Sequence, residues 1–138
     1  MTIVDTNVLS ALMQTVPDKH VVAWLDRQPR TSIWTTSITV FEVRFGLEVM
    51  AAGKKRSALI QAFEALLEAI GQRVAPFDGA AARQAADLMA SRQKKSRPGN
   101  LRDTMIAGIV LASHATLATR NGAHFEDISA VVIDPWQV

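Results

Sequence analysis

Three carboxylates hold the chemical promise of this chain: Asp5, Glu42 and Asp103. Asp5 ends the short β-branched run Thr2-Ile3-Val4, and an apolar pattern of helical period begins at Val8. That pattern predicts a strand that delivers Asp5 to its C-terminal tip, where open α/β sheets place their ligand crevices. Glu42 falls in the first turns of a helix that follows a second strand, and Asp103 in the first turn of a late helix, so all three are expected near one edge. Carboxylates brought together repel one another unless a cation neutralises them. Hard divalent ions such as Mg²⁺ and Mn²⁺ take oxygen ligands and add substrate phosphate to their shell. The chain has no cysteine, and His20, His114 and His124 lack metal-ligand spacing. The acids therefore point to Mg²⁺ or Mn²⁺ and phosphate chemistry rather than zinc.

Each acid also has a plain structural role open to it. Asp5 suits an Asx turn. Thr39-Val40-Phe41-Glu42 fits a capping box in which Glu42 ties back to the Thr39 backbone. Asp103 suits a first helical turn through the macrodipole alone. Asn121 stands at the same expected edge, yet Asn121-Gly122 is also a common turn dipeptide. The histidines read as surface or core-edge residues, and Trp24, Trp34 and Trp136 as core or dimer contacts rather than base-stacking platforms. Neither a nucleophile elbow nor a phosphate-binding glycine loop is present.

The elements that must position these residues alternate along the chain. Strands are expected at Thr2–Asp5, Ser32–Thr36, Arg73–Phe77, Thr116–Thr119 and Ala130–Ile133. Helices are expected at Val8–Met13, from Pro17-Asp18 to a stop at Pro29, from Ser37 or Thr39 to about Ala52, at Lys54–Ile70, from an Asp78 cap to about Gln93, and at Leu101–Ala115. Leu59, Ile60, Phe63, Leu66, Leu67 and Ile70 form a stripe of helical period. Strands alternating with helices imply a mostly parallel sheet covered on both faces.

The 138 residues suit one domain, and 49% hydrophobic content can bury a full core. The absence of cysteine suits a reducing cytoplasm. No basic segment precedes an apolar run at the N-terminus, so no signal peptide is expected. No apolar run approaches the ~20 residues of a membrane helix. Net charge is +2, with a pI of about 9.4. The basic residues cluster at Lys54-Lys55-Arg56 and at Arg92, Lys94, Lys95, Arg97 and Arg102. Either cluster reads as a solvated helix end or as a phosphate-tracking surface.

The residues also carry a resemblance. The segments Val4-Asp5-Thr6-Asn7-Val8-Leu9-Ser10, Ser37 to Gly46 around Phe41-Glu42-Val43-Arg44, Arg102 to Gly108, Leu117-Ala118-Thr119-Arg120-Asn121, and the ending Asp134-Pro135-Trp136 occur in an order and spacing similar to PIN-domain ribonucleases. The chain resembles in particular the toxin subunits of VapBC-type toxin–antitoxin pairs, including the FitB-like branch. The resemblance spans nearly the whole length, residues 1–138 as one PIN-like domain. It implies a three-layer α/β/α fold with a mostly parallel sheet of four to five strands. It further implies a Mg²⁺- or Mn²⁺-dependent endoribonuclease that leaves 3′-hydroxyl and 5′-phosphate ends. Asp5, Glu42 and Asp103 match the family's first three acids as metal ligands and catalytic residues. Asn121 stands where a fourth acid is common. Thr6 and Asn7 match the polar residues that orient the first acid, with Asn7 as an alternative helix cap. Arg44, Arg102 and Arg120 are candidates for RNA backbone contacts. The implied partners are RNA, a small VapB-like antitoxin and a second copy in a homodimer or dimer-based hetero-oligomer, with no membrane. Val21, Val22, Trp24 and Leu25 and the stripe at 59–70 are either core or partner-facing. Two other readings remain open: an aspartyl-phosphate phosphotransfer domain with Asp5 as nucleophile, and a non-catalytic RNA-binding or regulatory module. The first is weakened by Asn7, where haloacid-dehalogenase-like enzymes want a second Asp, and by the lack of a Lys at a strand tip.

Overall fold

A computed structural model describes all residues from Met1 to Val138. Five strands form one parallel sheet: β1 (Thr2–Val4), β2 (Ile33–Thr36), β3 (Val74–Ala75), β4 (Thr116–Ala118) and β5 (Val132–Ile133), in the order β3-β2-β1-β4-β5. Six helices surround it: α1 (Thr6–Leu12), α2 (Lys19–Asp26), α3 (Ser37–Glu48), α4 (Lys54–Ala69), α5 (Gly79–Lys94) and α6 (Leu101–Ser113).

Side chains alternate across each strand, and here both sets are apolar because both faces are covered. Val4 and Ala118 join one core cluster with Val8, Leu9, Val21, Trp24, Val43, Phe63 and Leu67, which places α1 to α4 on that side. Ile3 and Leu117 join the other with Ala81, Ile106, Ile109, Val110 and Phe125, under α5 and α6. Val21 and Trp24, with Phe63 and Leu67 of the helical stripe, are thus core, and Leu25 packs against them. The α5–α6 pair is unusually close. A Cβ at Gly108 would lie 2.5 Å from the Ala81 carbonyl oxygen and 2.8 Å from the Ala85 Cβ. The Ala-rich sequence of α5 is what permits this approach.

Local chemistry shifts several boundaries from the sequence expectation. The Asp5 carboxylate accepts from the Val8 N–H and caps α1, so the helix starts at Thr6 rather than Val8. Thr36, not Thr39, caps α3: its hydroxyl accepts from the Thr39 N–H at 3.0 Å. The capping-box role for Glu42 is therefore excluded, and its side chain is free for other partners. The third strand is cut to Val74–Ala75, and α3 stops at Glu48. Asp78 caps α5 as expected, accepting from Ala81 N–H at 3.0 Å. No helix is long and apolar enough to cross a membrane.

Candidate active site

The strand order reverses direction at β1. From it the chain leaves toward β2 and β3 on one side and returns as β4 and β5 on the other. The crevice beyond the carboxyl ends of β1 and β4 is therefore a topological switch point, where open α/β sheets bind ligands. Asp5 follows β1 and Thr119 follows β4 at this point, and the two strands still pair there through the Asp5 N–H to Ala118 O bond of 3.2 Å.

Asp5 is only 4% exposed. Burial pushes its carboxyl up to about 6. Hydrogen bonds from the Thr119 hydroxyl and the Val8 N–H act against that rise, while the nearby charges of Asp103 and Glu42 add to it. The three acids thus share one electrostatic environment. Asp5 makes no ion pair, whereas the other two each face a basic group. Glu42 accepts from the Thr6 hydroxyl at 2.9 Å and pairs with Arg102 at 3.6 Å. Asp103 lies 2.9 Å from His124 Nδ1. In this arrangement no three acidic or histidine side chains are closed into a coordinating set. The two outer carboxylates are turned to their own partners instead.

The other residues singled out from sequence divide clearly. Thr6 serves Glu42 rather than Asp5. Asn7 neither orients Asp5 nor caps α1; its side-chain oxygen accepts the Arg120 N–H at 3.1 Å and ties α1 to the segment after β4. Asn121 is exposed, and its own N–H donates to the Thr119 hydroxyl. Arg102 lies over the exposed, stacked rings of Phe41 and Phe45 beside Glu42. Arg120 lies over the Trp136 ring, 4.8 Å from its centroid. Arg44 is not brought to the acids. It pairs with Glu48 and Glu64 on the outer surface of α3 and α4.

Three participants escaped the sequence reading. His124, taken as a surface residue, contacts Asp103; its place three residues after Asn121, at the carboxyl edge of β4, was the available signal. Thr119 touches Asp5 because it is the first residue past β4. Arg92, read as part of a basic surface cluster, is 4% exposed and bound to Asp127. Nothing in a run of basic residues distinguishes the one that turns inward.

The PIN domain model matches residues 2–131, a span that contains Asp5, Glu42, Asp103 and Asn121. The chain belongs to the PIN-domain family. Among curated PIN-domain relatives, the VapC ribonuclease Y4jK of Sinorhizobium fredii is 39% identical over 99% of both chains. Toxin FitB of Neisseria gonorrhoeae is 31% identical over 99% of both. The crystal structure of FitAcB from Neisseria gonorrhoeae superposes with a TM-score of 0.90 at 30% identity, covering all of both chains. The five-stranded sheet flanked by helices described above is thus the PIN-like α/β/α architecture.

The donor set suits a hard divalent cation: oxygen ligands only, one of them a buried carboxylate without a cationic partner. The three carboxylates bring no thiolate, and His124, held against Asp103, is the one nitrogen donor beside them.

Proposed function

We propose that this chain is a metal-dependent endoribonuclease, the toxin of a toxin–antitoxin pair, with Asp5, Glu42 and Asp103 as its catalytic metal ligands. The observation that carries the reading is Asp5. A carboxylate raised chiefly by its burial at the switch point and further by two neighbouring acids, and lacking any ion pair, is costly to keep unless a cation offsets it. Membership of the PIN family and the close ribonuclease and toxin relatives support RNA as the substrate.

Divalent-metal dependence belongs to the family; Mg²⁺ or Mn²⁺ is our assignment for this chain. Bound among these carboxylates, the ion supplies charge neutralisation at a scissile phosphate and a water of lowered pKa. The chain's own residues do the rest. Thr6 and Arg102 hold Glu42 in place, and Thr119 and the Val8 N–H fix the Asp5 carboxylate. Asp103 orients the attacking water, with His124 holding the Asp103 carboxylate. Arg102 and Arg120 lie within reach of an RNA backbone entering over the site, and Asn121 stands at its rim. Arg44, committed to Glu48 and Glu64, is left out of this role.

The partners we assign are a small antitoxin and a second copy of the chain, acting in the cytoplasm, with residues 1–138 as one PIN-like unit. Incubating the protein with defined RNAs in Mg²⁺ and in EDTA tests the activity. Cleavage is expected in Mg²⁺ alone; equal cleavage in EDTA, or none under either condition, removes the proposal. Growth arrest on expression, relieved by an adjacent small reading frame, tests the antitoxin.

A further inference from the structure

A cavity of about 460 Å³ opens directly beside Asp103. One wall is the basic loop from Lys95 to Asn100; the opposite wall is the 3₁₀ turn Gly122–Phe125 with Glu126 behind it. Arg92 forms the floor. Its Nε and Nη2 each donate to the Asp127 carboxylate at 2.8 Å, Nη2 also donates to the His124 carbonyl at 2.8 Å, and Nη1 donates to the Thr104 hydroxyl at 3.0 Å. One buried guanidinium therefore fastens the wall at His124 and Asp127 to the start of α6, next to Asp103. Such bidentate, charge-assisted bonding fixes geometry as well as energy. The cavity is thus a built feature of the fold rather than a gap between loops.

Its chemistry is polar. A second cavity, of about 350 Å³ between α1, α2 and α4, is lined by Leu9, Leu25, Leu66 and Ile70 and continues the apolar core. Of the residues lining the cavity beside Asp103, only one is hydrophobic. Arg92 is spent on Asp127, whose carboxyl it holds below the ordinary range, and His124 is spent on Asp103. Lys95 and Arg97 remain without a side-chain ion pair, although Glu126, Asp103 and Asp127 line the same cavity and Lys95 acts on the Asp127 carboxylate. The volume suits one small polar ligand. Unpaired nucleotides are splayed out and read on their base edges by protein side chains.

Resting on the ribonuclease reading, we propose that this cavity is a subsite for one unpaired nucleotide flanking the scissile phosphate. Lys95 and Arg97 meet its phosphate, and Asn100 and Glu126 offer hydrogen-bonding groups to its base. The proposal gives the basic loop a role in substrate choice, separate from the acids that serve the chemistry.

The test measures binding of a short, fluorescein-labelled unpaired RNA by anisotropy, in an Asp5→Asn background that does not cut it. Ala123→Phe, which fills the cavity from its rim, is expected to weaken binding by about tenfold without changing the salt dependence. Lys95→Ala/Arg97→Ala is expected to weaken it comparably and to flatten the salt slope by about one. Both sites are exposed, and an unchanged melting temperature checks the fold of each variant. Binding within twofold of the parent in the folded variants overturns the subsite. Failure of the ribonuclease reading shows separately, as absence of Mg²⁺-dependent cleavage by the unaltered protein.

Discussion

The Thr6 hydroxyl donates to Glu42 Oε1 across 2.9 Å, joining the residue behind Asp5 to the acid on α3. The bond spans 36 positions of sequence and links the two helices that leave β1 and β2. It fixes the spacing of two carboxylates that would otherwise drift apart. Partners that orient a ligating carboxylate typically matter about 10–100-fold in affinity or activity.

Thr6→Val is accordingly expected to lower kcat for RNA by about tenfold or more, while Thr6→Ser keeps most of it. The melting temperature of both should stay close to that of the parent, because the bond is only partly buried. Equal kinetics in Thr6→Val would remove the positioning role.

Asp5 gives a prediction about stability as well as activity. Its folded-state carboxyl is raised from 3.8 to about 6, so the folded chain binds this proton more tightly than the unfolded chain does. Stability from this group is therefore present below about pH 4, falls as pH rises toward 6, and stays lost above that. The cost at neutral pH is of the order of 3 kcal/mol. Asp5→Asn, measured by denaturant unfolding in EDTA, should be more stable than the parent at pH 7 and should lose that advantage at pH 4. It should cut no RNA. A destabilised Asp5→Asn at pH 7 would contradict the burial argument.

Two glycines separate packing from propensity. Gly108→Ala should cost about 1–3 kcal/mol by forcing α5 from α6, since its Cβ would meet backbone at 2.5 Å. Gly46→Ala, in the last turn of α3 with nothing within 4 Å, should instead stabilise by up to about 1 kcal/mol. Chemical denaturation of the two variants measures both.

Much of this arrangement was legible before any coordinates. Asp5 at a strand tip, the alternation of strands and helices, and the cap at Asp78 follow from side-chain patterns that act locally. The strand order is different, because the reversal at β1 depends on contacts between distant segments. The same holds for the site. The types and positions of Asp5, Glu42 and Asp103 were visible, but their partners were not. Thr36 outcompeted Thr39 for the α3 cap, which released Glu42 to Thr6 and Arg102. Arg92 turned inward because Asp127, 35 positions later, offered it a carboxylate. Such pairings are set by the tertiary fold, and a reading of one segment at a time cannot reach them.

Removing divalent ions should abolish RNA cleavage, with Mg²⁺ or Mn²⁺ restoring it and Zn²⁺ doing so poorly, since Asp5, Glu42 and Asp103 are hard oxygen donors. A metal screen on chelated protein reads this directly. Restoration by Zn²⁺ alone would point to histidine ligation through His124 and against the all-oxygen set.

The central claim is that one cation sits among Asp5, Glu42 and Asp103. Anomalous diffraction from crystals soaked in Mn²⁺ tests it most directly. The account predicts a single dominant peak bounded by these three carboxylates, absent from Asp5→Asn crystals; a peak elsewhere on the molecule, or one that survives Asp5→Asn unchanged, would contradict it.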